Sequence, residues 1–339
     1  MAKLDSSFRE FLKEIRPTSN QKEDLKKGHT ILRERLLKYE KLKSIVVHTF
    51  LQGSYKRATL VRPKGGKRSD VDVVVVTNLK KESYPDPNKA MDLFVPFLRE
   101  YYKHKYKRQG RSFAIDLSYV DLDLVITSSP PLAQIEEYKK ISDENIEDFD
   151  EGQWKSEQLW IPDRDASEWK PTHPLEQFDW TKQKNNSTNG HYTNVVKAIK
   201  WWQRSDWPND RPKGYPLEHL IGQVCPDKIN SVAEGIVSSF EGIVNRGNSV
   251  PYYPSYGVSP QEDVFARISA SEYSKFYEHI ECAAKQAREA FDKDDNFASS
   301  KIWRELFGDK FPKSKQGPFV TPKSSSGDLK PRRYGKTNR

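Results

Sequence analysis

Apolar and polar positions in the first half of the chain follow helical and strand periods in turn. A capping box formed by Thr18 and Gln21 precedes leucines at helical spacing, which is typical of the start of a long helix. Two later runs are dominated by β-branched residues, which is typical of strands, and the first of them ends at Gly53. The predicted elements are a helix over about 18–43, strands over 45–51 and 71–77, helical segments over 90–102, and one or two strands within 113–127.

A different pattern begins near residue 129. Residues 136–151 carry eight acids against two lysines, and residues 154–188 are rich in Pro, Trp and Asp without clear periodicity. This pattern predicts a connecting region with long loops. The apolar positions of 192–202 and of 273–291 each form one helical face, and a second capping box begins at Ser269, before the latter helix. The chain after residue 312 is rich in Pro, Ser, Lys and Gly, and we predict that it is disordered or forms an interaction arm.

The composition indicates a folded, globular protein of 339 residues. Its mean hydropathy is −0.86, yet aromatic residues reach 12% and include 8 Trp, which is too many for a disordered chain. The net charge of +9 suggests a polyanionic partner. However, residues 310–339 hold nine Lys and Arg against one Asp, so residues 1–309 carry 48 cations against 47 anions. The basic excess belongs to the tail, and the rest of the chain is nearly neutral.

Cysteine content and the length of apolar runs exclude several classes of protein. Cys225 and Cys282 are too few for a disulfide framework or for a zinc site of four cysteines, and they favour a reducing compartment. The first residues lack the apolar segment of a signal peptide, and the longest apolar run, 73–76, is far too short to span a membrane. The sequence therefore predicts a cytoplasmic protein with no membrane association.

Paired carboxylates mark the beginning of the second predicted strand. Asp70 and Asp72 flank one Val, and the strand period of two places both side chains on the same face. Adjacent carboxylates repel each other unless a cation lies between them, and oxygen ligands of this kind suit Mg²⁺. A third Asp from a neighbouring strand would complete a two-metal site for phosphoryl transfer. The next predicted strands offer Asp121 and Asp123 on one face, and Asp116 on the opposite face if the strand is unbroken.

A glycine-serine turn, Gly53-Ser54, directly follows the first predicted strand. Glycine lets the backbone approach a phosphate closely, and the Ser hydroxyl and the N–H groups of a helix start can donate to its oxygens. Six cations and no acid lie between Ser54 and Ser69, and they either attract triphosphates or form a flexible solvated loop. This order of phosphate cradle and carboxylates fits a nucleotide-polymerising site, in which a ribose hydroxyl attacks an α-phosphate and releases pyrophosphate.

Three segments of the chain, 51–59, 69–72 and 123–126, resemble the polymerase-β-like nucleotidyltransferase superfamily. More narrowly, they are similar to the CD-NTases, the bacterial cyclic-oligonucleotide synthases of anti-phage signalling. The similarity extends into the connecting region and the helical second half, and it covers most of residues 1–312. The further similar segments are 160–163, 169–174, 195–202, 213–220 and 302–312.

The resemblance implies a metal-binding and catalytic triad of Asp70, Asp72 and Asp123. Asp123 is preferred to Asp121 because an Asp followed by small apolar residues matches the strand of the family. The triad would hold two Mg²⁺ ions, with Mn²⁺ as the alternative. Its last Asp would also help to deprotonate the acceptor hydroxyl.

The resemblance also implies residues that bind the substrate. Gly53 and Ser54 match contacts to the donor triphosphate, Lys200 matches a triphosphate-contacting lysine, and Tyr215 matches a tyrosine that stacks on a nucleobase. Helical spacing places the cations of 197–204 in one basic stripe, for which a solvated face is the alternative. The implied substrates are nucleoside triphosphates: ATP, GTP, UTP or CTP.

We therefore predict a bilobed α+β enzyme with a polymerase-β-like nucleotidyltransferase core that contains a mixed β-sheet, over 1–190. A C-terminal helical lobe follows over 191–312, and a basic, disordered tail over 313–339. The enzyme would join nucleoside triphosphates into a cyclic di- or trinucleotide second messenger.

Two alternatives to this function stay open. One is an enzyme with a linear product, such as an oligoadenylate or RNA terminal nucleotidyltransferase, and the other is a non-catalytic module that binds nucleotides or nucleic acid. The chain lacks the His and Cys cluster of the zinc thumb of animal cyclic GMP-AMP synthase, which argues against activation by duplex DNA. The basic tail is a candidate for docking a regulatory protein.

Overall fold

The structure, a computed structural model, describes residues 4–130, 158–207, 212–259 and 262–313. The acidic part of the predicted connecting region lies outside the described residues, as does all of the basic tail except its first residue. Its helices are, in chain order, α1 Asp5–Ile15, α2 Ser19–Lys38, α3 Glu40–Lys43, α4 Gly53–Lys56, α5 Pro87–Asp92, α6 Val95–Tyr101, α7 Pro174–Ser187, α8 Tyr192–Asp206, α9 Tyr215–Val224, α10 Val232–Arg246, α11 Ala270–Asp292 and α12 Asn296–Phe307. Among the described helices, none is long and apolar enough to cross a membrane.

A mixed five-stranded sheet forms the centre of the first lobe. Its strands are β1 Val46–Gln52, β2 Asp70–Thr77, β3 Tyr106–Arg108, β4 Phe113–Asp116 and β5 Asp121–Ile126. The strand order is β1-β2-β5-β4-β3, in which β2 and β5 are parallel and the other neighbours are antiparallel. The predicted strands and the α+β class are confirmed, and β3 is an additional edge strand. The valines of β2 are all buried, as expected for a strand covered on both faces.

The first predicted helix is present but shorter than the pattern suggested. Its capping box is formed, because Thr18 Oγ1 accepts from the N–H of Gln21 at 3.2 Å and the Gln21 side chain accepts from the N–H of Thr18 at 2.9 Å. The predicted extension to about residue 43 is wrong. Tyr39 leaves the helical conformation at ψ 110° and its ring packs against Phe97, so α2 ends at Lys38 and the short α3 follows.

The second half of the predicted connecting region has regular structure, so the expectation of long loops is wrong for residues 159–187. Strand β6, Leu159–Asp163, pairs with β7, Glu168–Thr172, in an antiparallel ribbon, and α7 follows. Pro162 and Pro171 lie within this ribbon, where the open edges of two strands tolerate a residue without an N–H. These prolines concealed the strand pattern in the sequence.

Helices α8 to α12 pack around a second hydrophobic core. The apolar positions predicted for 192–202 and 273–291 lie in or against this core, and the capping box at Ser269 is formed. Helix α1 packs here too, since Phe8 meets Trp303 edge to face and Phe11 stacks on Phe307. The N-terminal helix therefore joins the helical core by packing, although it precedes the sheet in the sequence.

Candidate active site

Parallel pairing of β2 and β5 brings carboxylates from two strands together. In this register Asp70 lies beside Asp121, and Asp72 lies beside Asp123. Both strands begin with the pattern Asp-X-Asp, so the two pairs occupy the same face at the same end of the sheet. The prediction required a third Asp from a neighbouring strand, and β5 supplies Asp121 and Asp123 beside the predicted pair.

Contacts distinguish the two candidates for the third carboxylate. Asp121 Oδ1 accepts a hydrogen bond from Arg68 Nε at 2.8 Å, and the same guanidinium also binds Asp116. Asp123 forms no ion pair with any described residue, and it lies next to Asp72 rather than Asp70. The charge of Asp121 is therefore compensated within the protein, whereas that of Asp123 is available to a cation. This geometry supports Asp123.

Burial and mutual repulsion raise the pKa values of two of these carboxyl groups. The pKa of Asp72 is raised to about 7, mainly by burial and then by the charges of Asp70 and Asp123, while Arg57 partly offsets the effect. Burial, followed by the charge of Asp70, raises the pKa of Asp123 to about 6. Such repulsion is what a bound divalent cation would relieve.

The donor set of Asp70, Asp72 and Asp123 fits a hard divalent cation, because all three supply oxygen ligands from adjacent strands. In their present rotamers the carboxylates do not yet form a coordination shell: within the described ranges, no three Asp, Glu, His or Cys side chains converge closely enough to hold one ion.

The glycine-serine turn lies directly against Asp72. Gly53 has φ +71°, and a Cβ added there would lie 1.8 Å from Asp72 Oδ2, so no other residue fits without displacing the carboxylate. The turn continues into the short helix α4 and is closed by hydrogen bonds from the N–H of Arg57 to Gly53 O and from the N–H of Thr59 to Ser54 O. The predicted phosphate cradle and the carboxylates thus form one site.

Several cations of the basic segment after this turn are held by specific contacts, so the alternative of a flexible solvated loop is wrong for these positions, whereas residues 65–67 are exposed. Lys56 and Arg57 are only 6% and 8% exposed, and Arg68 binds the carboxylates of Asp116 and Asp121. Lys56 Nζ lies 5.1 Å from the centroid of the Phe178 ring. These cations are built into the structure around the turn.

A buried carboxylate that the sequence reasoning did not single out joins this turn to the helical lobe. Glu218 Oε2 accepts hydrogen bonds from Arg57 Nε at 3.0 Å and from Thr59 Oγ1 at 2.9 Å, and Glu218 Oε1 accepts one from Lys200 Nζ at 2.8 Å. Burial opposes the charge of Glu218, but the cations Arg57 and Lys200 outweigh it and lower its pKa to about 2. The signal in the sequence was an acid within the apolar segment 215–221.

The structure places Lys200 and Tyr215 beside the same turn, on the helical lobe. Lys200 is 3% exposed and paired with Glu218, so the alternative of a solvated basic face is wrong for this position. The Arg57 guanidinium lies 5.1 Å from the centroid of the Tyr215 ring, whose hydroxyl is 3.3 Å from His219 Nδ1. Both predicted residues therefore border the site, Lys200 behind its surface and Tyr215 half-buried at it.

One further cation of the helical lobe, Arg204, interacts electrostatically with a carboxylate of the site. Burial lowers the pKa of Arg204, and the charge of Asp70 partly offsets this effect. Arg204 was predicted only as part of the basic stripe of α8. The interaction with Asp70 makes it a candidate for contact with the triphosphate.

Comparison with known proteins agrees with this site. The chain matches the Second Messenger Oligonucleotide or Dinucleotide Synthetase domain over residues 2–153. It is 44% identical to a probable cyclic AMP-AMP-GMP nucleotide synthase of Salmonella paratyphi B and 42% identical to the cyclic AMP-AMP-GMP synthase of Enterobacter hormaechei subsp. hoffmannii (strain UCI 50). Each alignment covers 98% of this chain and 99% of the relative.

The fold is similar to that of the Bradyrhizobium diazoefficiens CD-NTase CdnG, solved in complex with GTP. The TM-score is 0.66 at 14% identity, over 91% of this chain and 96% of that chain. Fold, carboxylates and relatives together define a nucleotidyltransferase that joins nucleoside triphosphates into a cyclic oligonucleotide. The chain belongs to the CD-NTase family, the cyclic-oligonucleotide synthases of bacterial anti-phage defence, which use divalent metal ions.

Proposed function

We propose that the protein converts ATP and GTP into a cyclic trinucleotide of two AMP units and one GMP unit. Two relatives that share 44% and 42% of its residues over their whole length carry this activity in their names. The observation that carries the proposal within the chain is the register of Asp72 beside Asp123 beneath Gly53, because it supplies carboxylates and a phosphate cradle at one point.

Asp70, Asp72 and Asp123 would hold two Mg²⁺ ions in this proposal, with Mn²⁺ as the alternative. Bound there, the ions would neutralise charge on the triphosphate and acidify the attacking ribose hydroxyl. The carboxylate of Asp123 would accept the proton of that hydroxyl. Its pKa of about 6 leaves it ionised at neutral pH and therefore able to do so.

The proposed contacts to the triphosphate come from both lobes. The Ser54 hydroxyl and the N–H groups at the start of α4 would donate to phosphate oxygens, since Gly53 leaves space for their approach. Lys200 would contact the triphosphate by exchanging Glu218 for phosphate oxygens, and Tyr215 would stack on a nucleobase with the ring face that Arg57 leaves open.

The product made from free triphosphates tests this function. The purified protein is incubated with all four nucleoside triphosphates and Mg²⁺, and the products are treated with phosphatase and analysed by mass. We expect a phosphatase-resistant product with the mass of two AMP units and one GMP unit. A product with phosphatase-sensitive ends, or a requirement for an RNA primer, would instead support the linear-product alternative.

A matched pair of variants tests the assignment of the triad. Asp123→Asn should lower the rate of product formation by at least about 1000-fold, because it removes a metal ligand and proton acceptor. Asp121→Asn, two residues away, should retain activity within about tenfold, since Arg68 and not a metal ion compensates its charge. The reverse order of effects would assign the third position to Asp121.

We further propose that the chain divides into two lobes at about residue 190 and that its basic tail docks a regulatory protein. The two hydrophobic cores support a first lobe around the sheet and a second lobe of helices. The net charge of the tail, with nine Lys and Arg against one Asp over 310–339, suits the docking of an acidic surface on a regulatory protein in the cytoplasm.

A further inference from the structure

A cavity lies beside the glycine-serine turn, between α2, α4 and the beginning of α8. Its volume is about 1120 Å³, and α4 contributes Tyr55 and Lys56 to its wall. Gly53, Ser54 and the three proposed catalytic aspartates do not line it. The cavity is therefore separate from the proposed active site, although the same short helix borders both.

Positive charge dominates the wall of this cavity. A single carboxylate, Glu34, lines it together with six cations, which are Arg16, Lys22, Lys26, Arg33, Lys56 and Lys197. Some of these have partners in the protein: Arg16 donates to Asn194 Oδ1 and Arg33 donates to the hydroxyl and carbonyl of Thr49. Lys22, Lys26 and Lys197, by contrast, form no ion pair with any described residue.

Lys197 shows that this charge is poorly compensated. Its side chain is more than nine-tenths buried. Burial, together with the neighbouring cations Arg16, Lys200 and Lys22, lowers its pKa to about 7. Glu218 acts in the opposite direction, but its oxygens already accept from Arg57, Thr59 and Lys200. A buried cation among other cations is costly unless an anion joins it.

The rest of the wall is apolar and aromatic. Tyr55 lies 5.9 Å from His29 between ring centroids, and four leucines complete this side, namely Leu25, Leu37, Leu51 and Leu60. A ligand for this cavity therefore needs negative charge at one end and a flat or apolar group at the other. Its volume of about 1120 Å³ lies just above the range of roughly 300–1000 Å³ that is typical of small-ligand pockets, so it suits a small ligand and not an extended duplex.

We propose that this cavity binds a small oligophosphate that carries nucleobases, at a site separate from the catalytic aspartates. Its phosphates would lie against Lys22, Lys26 and Lys197, and a base would lie against Tyr55. Substrate triphosphate and cyclic product share this chemistry. Either occupant would contact the back of α4, whose first residues form the proposed phosphate cradle.

Protection of lysines from acylation tests the proposal residue by residue. The full chain is treated with an amine-acylating reagent in EDTA, with increasing ATP in one arm and increasing synthetic cyclic AMP-AMP-GMP in the other, and the extent of labelling is read by mass spectrometry. We expect protection of Lys22, Lys26 and Lys197, reaching about elevenfold at ten times the half-protecting concentration. Exposed Lys41 should label equally throughout.

Two double variants with the same change of charge separate a site from general attraction. Lys22→Gln with Lys26→Gln should raise the half-protecting concentration at Lys197 by at least about fivefold, because two charge-assisted contacts are lost. Lys38→Gln with Lys41→Gln removes two exposed cations outside the cavity and should leave it unchanged. Equal effects of the two double variants would overturn the proposal.

The outcomes also separate this site from the proposed active site. Protection in an Asp72→Asn background should equal that in the wild type, whatever that variant does to product formation. Protection in the ATP arm identifies a substrate-class ligand, and protection in the cyclic arm identifies a product-class ligand. No protection by either at about 5 mM, where a specific nucleotide site saturates, overturns the proposal. Protection by duplex RNA and by neither nucleotide overturns it as well.

Discussion

At the scale of single residues, Asp72 shows that the carboxylates of the proposed active site repel one another. Its carboxyl group is buried beside Asp70 and Asp123, and Arg57 offsets only part of their repulsion. A carboxyl group in such a place either takes up a proton or requires a cation. The metal-free protein must therefore lose stability where Asp72 is ionised.

We expect Asp72→Asn to stabilise the metal-free protein at pH 8 by roughly 1–3 kcal/mol. The folded-state pKa of Asp72, about 7, lies above its ordinary value of 3.8, so the wild type loses stability as the pH rises between these values. Thermal unfolding in EDTA at pH 8 and pH 4 measures the difference, which should vanish at pH 4. A variant that is no more stable than the wild type at pH 8 would contradict the assigned environment.

Divalent cations should reverse this order of stability. Mg²⁺ or Mn²⁺ at 100 times its Kd should stabilise the wild type by about 2.7 kcal/mol, because the ion binds the folded carboxylates. Asp72→Asn should gain little, since it lacks a proposed ligand. The measurement is the thermal unfolding midpoint over a metal titration, with Ca²⁺ as a comparison ion. An equal gain in both proteins would indicate binding elsewhere.

We expect Gly53 to be required for two separate reasons, which a matched glycine distinguishes. Gly53→Ala should lower stability by about 1 kcal/mol through its positive φ, and should also abolish activity because its Cβ collides with Asp72. Gly65 has a similar φ of +61° but no atom within 4 Å of an added Cβ. Gly65→Ala should therefore lower stability similarly and leave activity intact. Unfolding and product formation are measured for both, and equal activities would refute the proposed cradle.

At the scale of elements, a buried ion network fastens the glycine-serine turn to the helical lobe. Glu218 on α9 binds Arg57 and Thr59 behind the turn and Lys200 on α8. All four side chains are at most 8% exposed. Removing one partner of such a network leaves buried charges without compensation, which costs far more than the loss of a surface pair.

Glu218→Gln should therefore lower the free energy of unfolding by about 3–5 kcal/mol at pH 7. The pKa of Glu218, about 2, lies below its ordinary value of 4.5, so its contribution is present above pH 4.5 and is lost as the pH falls toward 2. The control is Glu241→Gln, which removes the exposed pair with Arg288 and should cost less than about 1 kcal/mol. Denaturant unfolding compares them, and similar losses would argue against the network.

Some boundaries of helices and strands can be predicted from local sequence patterns, and others cannot. The capping boxes at Thr18 and Ser269 were predicted correctly because both partners lie within four residues. The end of α2 at Lys38 was not predicted correctly, because it depends on the contact of Tyr39 with Phe97, which lies in a distant segment of the chain. The β6–β7 ribbon was missed because its prolines contradict the strand pattern, and its pairing alone makes them acceptable.

At the scale of the whole molecule, the N-terminal helix packs against the last described segment of the chain. Phe8 and Phe11 of α1 pack against Trp303, Phe307 and Phe311, so the helical core includes the first and last described segments. The helical core is therefore built from two separate stretches of sequence, α1 and the helices after residue 191. Its stability depends on a helix that precedes the sheet.

Phe11→Ala should accordingly lower the free energy of unfolding by about 3–5 kcal/mol, the usual cost of deleting a fully buried phenylalanine. Phe297→Ala is the matched control, since Phe297 is 41% exposed on α12 and should cost less than about 1 kcal/mol. Tryptophan fluorescence during denaturant unfolding reports the helical lobe through Trp303. Similar costs for both variants would show that α1 is dispensable to this core.

The sequence by itself determined most of the central strands and several chemical groups of the proposed site. Strand period, Asp-X-Asp spacing and a glycine-serine turn are local features, so they identified Asp70, Asp72, Gly53 and Ser54 as candidates and supported the α+β class. Only the tertiary structure decided which residues meet. Parallel pairing of β2 with β5 puts Asp123 beside Asp72. Arg68 pairs with Asp121 and compensates its charge, so Asp121 is less suited to bind a cation.

The basic residues show most clearly what the sequence determines and what only the tertiary structure determines. The sequence located the basic excess in the tail but could not tell a solvated lysine from a buried one, because helical spacing alone does not say what covers a face. Packing of the lobes buried Lys200 on Glu218 and left Lys197 in a cationic cavity next to the turn. Burial and pairing are properties of contacts between segments far apart in the chain, and these depend on the folded structure.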